Sequence, residues 1–140
     1  MNLAHAAITV KDMEASLRFY EGGLGLKKAF EMPNPETGEP WILYVYVGSG
    51  QFLELFYGGV NDYSWDEEDR AYNHLCIGVD DIHAITEKLQ GAGYTMDILP
   101  KLGCDGNWQA WVTDPDGVRI ELMQISENSP QMEAMKRFEG

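Results

Sequence analysis

The chain is built twice over. His5 and His74 are offset by 69 residues, as are Asp12 and Asp81; Gly25 and Gly93 are offset by 68, and Glu54 and Glu121 by 67. Four landmarks held within two residues of one offset mark a duplicated supersecondary unit, and that duplication limits the fold more than any composition figure. A chain of 140 residues is long enough for one compact unit, or for two small modules that share a core.

Each copy reads as βαβββ. In the first, residues 3–10 end in a β-branched run and form a strand, and Asp12 caps a helix carrying Met13, Leu17 and Tyr20 at helical spacing. Gly22, Gly23 and Gly25 stop that helix. Residues 26–32, 41–47 and 51–57 read as strands, separated by the Pro- and Gly-rich loop 33–40 and the turn Gly48-Ser49-Gly50. In the second copy residues 74–79 form the first strand, and Asp81 caps a helix with Ile82, Ile85 and Leu89 on one face. Strands are expected over 94–99, 107–113 and 118–125, with Asp114-Pro115-Asp116-Gly117 as a tight turn before the last. The expected organisation is a first module over 1–57, an acidic, solvated linker over 58–72, a second module over 73–125, and a tail over 126–140. In that tail Ser129-Pro130 opens a short amphipathic helix striped by Met132, Met135 and Phe138.

The repeat places one imidazole and one carboxylate in each copy: His5 with Glu54, and His74 with Glu121. These are the ligand types that suit a divalent first-row metal. Strand residues alternate between faces, so Glu54 shares its face with Phe52 and Phe56, and Glu121 with Arg119 and Met123. A carboxylate on a covered face costs several kcal/mol unless it is paired or bound to a cation. The alternative for each Glu is an ordinary salt bridge, with Arg18 or Arg119 as partner. Two of the chain's three histidines, and both of these glutamates, fall at repeat-equivalent positions, which favours the metal site. His83, the third histidine, reads as a surface residue beside the second helix cap.

A formal net charge of −13 argues against nucleic acid or an anionic membrane as partner, since phosphate recognition needs a basic patch. Cys76 and Cys104 make no short metal or disulfide motif and read as free thiols. No signal-like segment precedes His5 and no apolar run approaches a membrane span, so a cytoplasmic protein is expected.

The βαβββ repeat, Asp114-Pro115-Asp116-Gly117 leading into Ile120-Glu121-Leu122, and the set His5, Glu54, His74 and Glu121 resemble the vicinal oxygen chelate superfamily. Within it the chain is most similar to the bacterial glyoxalase I type, the lactoylglutathione lyases, over roughly residues 3–125. The resemblance implies an α+β fold in which each module curls into a half-barrel and paired modules form a metal-binding cleft across a homodimer. It implies four metal ligands, His5, Glu54, His74 and Glu121, and a divalent ion: nickel or cobalt more often than zinc, with iron or manganese open. It also implies proton transfer beside a carbonyl, through an enediolate, with Glu121 as the base and Glu54 as ligand and possible second base. The substrate would be a small molecule, a 2-oxoaldehyde–thiol hemithioacetal or related α-hydroxycarbonyl.

Two positions depart from the family pattern. Thr9 stands where glutathione-using members usually place an Arg, and Gly58 where they usually place an Asn. Arg70, four residues before His74, matches a position where some members carry a glutathione-contacting Arg. Lys101 is a further candidate cation, and Trp108 lies next to the Gly-rich loop that is expected to form a pocket rim in this fold. Two other readings stay open: a non-catalytic drug-binding protein of the bleomycin-resistance kind, and a metal-dependent epimerase or dioxygenase of the same superfamily.

Overall fold

The computed structural model describes residues 1–139. The chain divides into two compact units, one spanning Met1–Tyr63 and the other beginning at Ser64. The first contains β1 (His5–Thr9), α1 (Met13–Leu17) continued by a π-helical turn (Arg18–Gly23), β2 (Lys27–Pro33), β3 (Pro40–Gly48) and β4 (Gln51–Phe56). The second contains β5 (Leu75–Gly78), α2 (Ile82–Gly91), β6 (Met96–Leu102), β7 (Trp108–Thr113), β8 (Arg119–Gln124) and the terminal α3 (Pro130–Glu139). The sheets run β1-β4-β3-β2 and β5-β8-β7-β6, and in each the first strand lies parallel to the last. The expected α+β fold with a repeated βαβββ unit is the observed one.

Alternation along the strands builds both cores. Leu53 and Leu55 of β4 lie opposite Val45 and Leu43 of β3, and all four are buried, with Phe19 and Tyr20 also inaccessible to solvent. In the second unit Ile120 and Leu122 of β8 face Val112 and Ala110 of β7, and Ile82 and Leu89 of α2 are buried too. Each such aliphatic side chain contributes about 1.5–3 kcal/mol through removal from water. The residues between them, Glu54 and Glu121, necessarily point to the other face of their sheets.

Both caps form as expected. Asp12 accepts from the Ala15 amide at 3.0 Å, and Asp81 accepts from the His83 and Ala84 amides at 2.9 and 3.0 Å. The helices then part company. α2 ends in a Schellman motif, with Gly93 at φ 93° donating to Gln90 and Tyr94 donating to Leu89. In the first unit Gly25 at φ 79° donates to Glu21 and Leu26 donates to Tyr20, each bond one residue longer. The fall in the repeat offset from 69 to 68 is therefore one extra residue between Tyr20 and Gly25, and the π-helical turn absorbs it. This corrects the expected stripe: Ser16, Phe19 and Tyr20 are buried, while Met13 and Leu17 are only half-buried.

Three other expectations change. β6 runs through Pro100 to Leu102 instead of stopping at Leu99. It is an edge strand with a register shift between Ile98 and Lys101, where a missing amide hydrogen is tolerated. The acidic stretch 58–72 is mostly exposed, but Trp65 within it is half-buried against Arg119. Ser129 caps α3 by accepting from the Met132 amide at 3.2 Å, yet no residue of that helix is buried and Phe138 is 76% exposed.

Candidate metal-binding and catalytic site

Each sheet brings its His and Glu together. In the parallel ladders Ala7 lies opposite Glu54 and Cys76 opposite Glu121, so the residue two before each, His5 or His74, shares the carboxylate's face. His5 Nδ1 lies 3.5 Å from Glu54 Oε1, and His74 Nε2 lies 2.9 Å from Glu121 Oε2. Glu54 is 7% exposed and Glu121 8%. The alternative arginine partners are engaged elsewhere: Arg18 pairs with Glu14, and Arg119 stacks on indole rings. Among the described residues no three His, Cys, Asp or Glu side chains gather around one point; each half-site offers two.

The second half-site is the more constrained. His74 Nδ1 lies 2.7 Å from Asn73 Oδ1, which can accept from it in the tautomer that leaves Nε2 free to bind a cation. A neutral imidazole has no second N–H for Glu121. Its Nε2 lone pair then faces a carboxylate oxygen at 2.9 Å, an arrangement that is attractive only with a second proton or a metal ion between them. Two ligands at about 2.1 Å from one ion, 90–109° apart, are separated by about 3.0–3.4 Å. The two observed spacings lie close to that range, so the residues present fit a divalent cation.

The surroundings of the two carboxylates differ. Tyr44 lies directly opposite Glu54 across β3, and its phenol is raised chiefly by the hydrogen bond it donates to that carboxylate. Opposite Glu121 on β7 stands Trp111, whose indole donates to Gln109 Oε1 at 2.7 Å and meets the His74 ring edge-on at 4.7 Å. Cys76, although exposed as a residue, has its thiol pushed up to about 12, first by local burial and then by the charge of Glu121, to which it also donates.

Of the remaining sequence candidates, Lys101 lies opposite Gln109 and so shares the sheet face of Trp111 and Glu121. Arg70 and Lys101 are exposed. Trp108 belongs to the opposite, helix-covered face of its sheet and meets the exposed His83 edge-on at 5.5 Å. Sequence reasoning missed Trp65, Tyr44's hydrogen bond and the role of Cys76. The missing signal was register, which decides what stands beside a strand residue and is not legible from one strand alone.

Two βαβββ units that each display a His–Glu pair on the open face of a four-stranded sheet define a class of metal-site scaffold. The family model described as Glyoxalase/Bleomycin resistance protein/Dioxygenase superfamily matches residues 2–122, and the chain belongs to that superfamily. It is 34% identical over 129 residues to the lactoylglutathione lyase of Haemophilus influenzae, covering 89% of this chain and 93% of that one. The lactoylglutathione lyase of Escherichia coli O157:H7 is 33% identical over 132 residues, covering 89% and 93%. Among solved structures the trypanothione-dependent glyoxalase I of Leishmania major superposes with a TM-score of 0.74 at 32% identity, covering 98% of this chain and 96% of that one.

Proposed function

We propose that the chain is a metal-dependent lyase of the glyoxalase I type that isomerises the hemithioacetal of a 2-oxoaldehyde and a thiol. The observation that carries this reading is the pair of buried carboxylates, Glu54 and Glu121, each beside a repeat-equivalent histidine and with no arginine or lysine paired to it. His5, Glu54, His74 and Glu121 would hold a divalent ion where two half-sites meet, as a homodimer of the family's kind would bring them together. Relatives named lactoylglutathione lyase support both the ion and the activity. Nickel or cobalt suits this mixed nitrogen and oxygen set as well as zinc does.

When bound, the ion polarises the substrate's adjacent oxygens and stabilises negative charge on them. The chain's own residues do the rest. Glu121 takes the proton from the hemithioacetal carbon and returns it to the neighbouring one. Asn73 holds the His74 ring so that Nε2 faces the site. Glu54, backed by the Tyr44 hydroxyl, stays oriented as a ligand. The Cys76 thiol, protonated at neutral pH, donates to Glu121 and helps hold that carboxylate in place. Substrate contacts from Arg70 and Lys101 belong to this proposal, whereas Trp108 faces the helix side of its sheet, away from Glu121. The thiol varies among relatives, which include a trypanothione-dependent enzyme.

The test is turnover of the methylglyoxal–glutathione hemithioacetal by apo protein reloaded with Ni²⁺, Co²⁺ or Zn²⁺. Metal-dependent activity that disappears in Glu121→Gln is the expected result. Stoichiometric metal binding without turnover on this or any other thiol adduct contradicts the isomerase reading.

A further inference from the structure

Two buried side-chain donors among the described residues have no hydrogen-bond partner: Arg119 Nη1 and Trp65 Nε1. They belong to one stack. The Arg119 guanidinium carbon lies 3.7 Å from the Trp65 ring centre and 4.9 Å from that of Trp111. Trp111 in turn touches His74, so Trp65, Arg119, Trp111 and His74 form a continuous row on the face of the sheet that carries Glu121. Arg119 is two residues before Glu121 on β8, which puts their backbones about 7 Å apart along the strand.

Both orphan groups are donors, and neither an indole N–H nor a guanidinium can satisfy the other. What the stack lacks is an acceptor. An unpaired guanidinium nitrogen is costly to bury, and the chain has anions in surplus: Asp66, Glu67, Glu68 and Asp69 follow Trp65 directly, yet Nη1 meets none of them. The cation is held by aromatic faces instead, which positions it without neutralising it. The equivalent position of the first unit is Phe52, and Thr9 on that same face is neutral, so the cation belongs to one half-site alone.

The geometry points to Arg119 as the anchor for a carboxylate of the substrate, clamped between Trp65 and Trp111 about 7 Å along β8 from the catalytic Glu121. Trp111 is fixed by its bond to Gln109, whereas Trp65 rides on an exposed segment. Binding moves Trp65 off the guanidinium and gives the carboxylate access to Nη1. The substrate is then an anion whose carboxylate reaches Arg119 while its reacting carbon lies at Glu121, and a chain of net charge −13 meets it with one positioned arginine instead of a basic surface. This specificity deepens the isomerase reading of the Glu121 site and rests on it for the place of the reacting carbon. Its test reads binding without turnover.

The test titrates the metal-free protein with S-methylglutathione and with its diethyl ester, in which both carboxylates are masked. Calorimetry gives the affinity and tryptophan emission reports the stack. The wild type is expected to prefer the acid by roughly 10- to 100-fold, the range for a hydrogen bond to a charged group. Arg119→Gln should abolish that preference and leave ester binding unchanged, while Arg119→Lys retains part of it. Trp65→Phe should remove most of the emission change. If Arg119→Gln does not fold, as judged by near-ultraviolet circular dichroism, the Arg119→Lys and Trp65→Phe variants carry the test. An acid preference that survives in Arg119→Gln overturns the proposal, as does a wild type that shows no preference. Arg119-dependent binding without turnover by any metal form rejects the isomerase reading alone. Turnover with a KM unchanged in Arg119→Gln rejects the anchor alone.

Discussion

In the first unit Glu54 sits among Ala7, Tyr44 and Phe52; in the second, Glu121 sits at the same place on the same backbone among Cys76, Trp111 and Arg119. The ligand-bearing positions are held constant and their neighbours are not. His5 has a half-exposed side chain, whereas His74 is less exposed and has its second ring nitrogen tied to Asn73. The difference teaches that duplication supplied two copies of a His–Glu pair, and that the second copy has gained the more polar and more tightly oriented surroundings. The first remains an aromatic surface, in which Tyr44 stacks on Phe30 at 4.2 Å and the exposed Tyr46 lies 5.3 Å from Phe52.

This asymmetry is open to attack at both carboxylates. Glu121→Gln is expected to reduce turnover by roughly 10²–10⁴-fold or more, the range for loss of a general base, while circular dichroism shows an unchanged fold. Glu54→Gln should weaken metal affinity more than it lowers kcat at saturating metal. Equal kcat losses in the two variants would erase the distinction between the half-sites. Asn73→Ala comes next in size, with metal affinity expected to fall roughly 10- to 100-fold by equilibrium dialysis, as for other groups that orient a ligating histidine. No change would mean that the 2.7 Å contact does not set the His74 tautomer.

A smaller effect is expected at Tyr57, whose hydroxyl donates to Glu31 Oε1 at 2.6 Å. That bond is the main cause holding the Glu31 carboxyl below its usual value, with Lys28 adding to it against the opposing effect of burial, and it pushes the Tyr57 phenol up to about 12. The carboxylate's contribution to stability is present above about pH 4.5, its unfolded value, and is lost as pH falls through the lower folded one. The phenol's contribution is complete below about pH 10 and is lost as pH rises through about 12. Tyr57→Phe should therefore cost some stability at pH 7 and little at low pH, and should remove a phenol that titrates near 12 from an ultraviolet titration. The smallest change is expected from deleting Gly22, which converts the two bonds at the end of the π-helical turn to the Schellman spacing seen after α2. A stability change within about 1 kcal/mol by urea unfolding would confirm that the extra residue is merely accommodated. A larger loss would show that Phe19 and Tyr20 need the wider turn to be buried side by side.

Much of this architecture was legible in the chain because short-range chemistry decides it. Asp12 and Asp81 cap helices, Gly25 and Gly93 take left-handed conformations that end them, and alternation assigns Leu53 and Leu55 to one face and Glu54 to the other. What could not be read depended on neighbours remote in sequence. The pairing of Tyr44 with Glu54, of Cys76 with Glu121, and of Trp65 with Arg119 follows from register and from the path of an irregular segment. The π-helical turn was legible only as a one-residue fall in the repeat offset, whose meaning the hydrogen bonds supply.

Metal stoichiometry is the most direct test of the proposed sharing of one ion by the two half-sites. Equilibrium dialysis of purified protein against Ni²⁺ should give one ion per chain, and either His5→Ala or His74→Ala alone should lower affinity at least 100-fold. An ion retained at full affinity in either variant, or two independent ions per chain, would contradict the shared site.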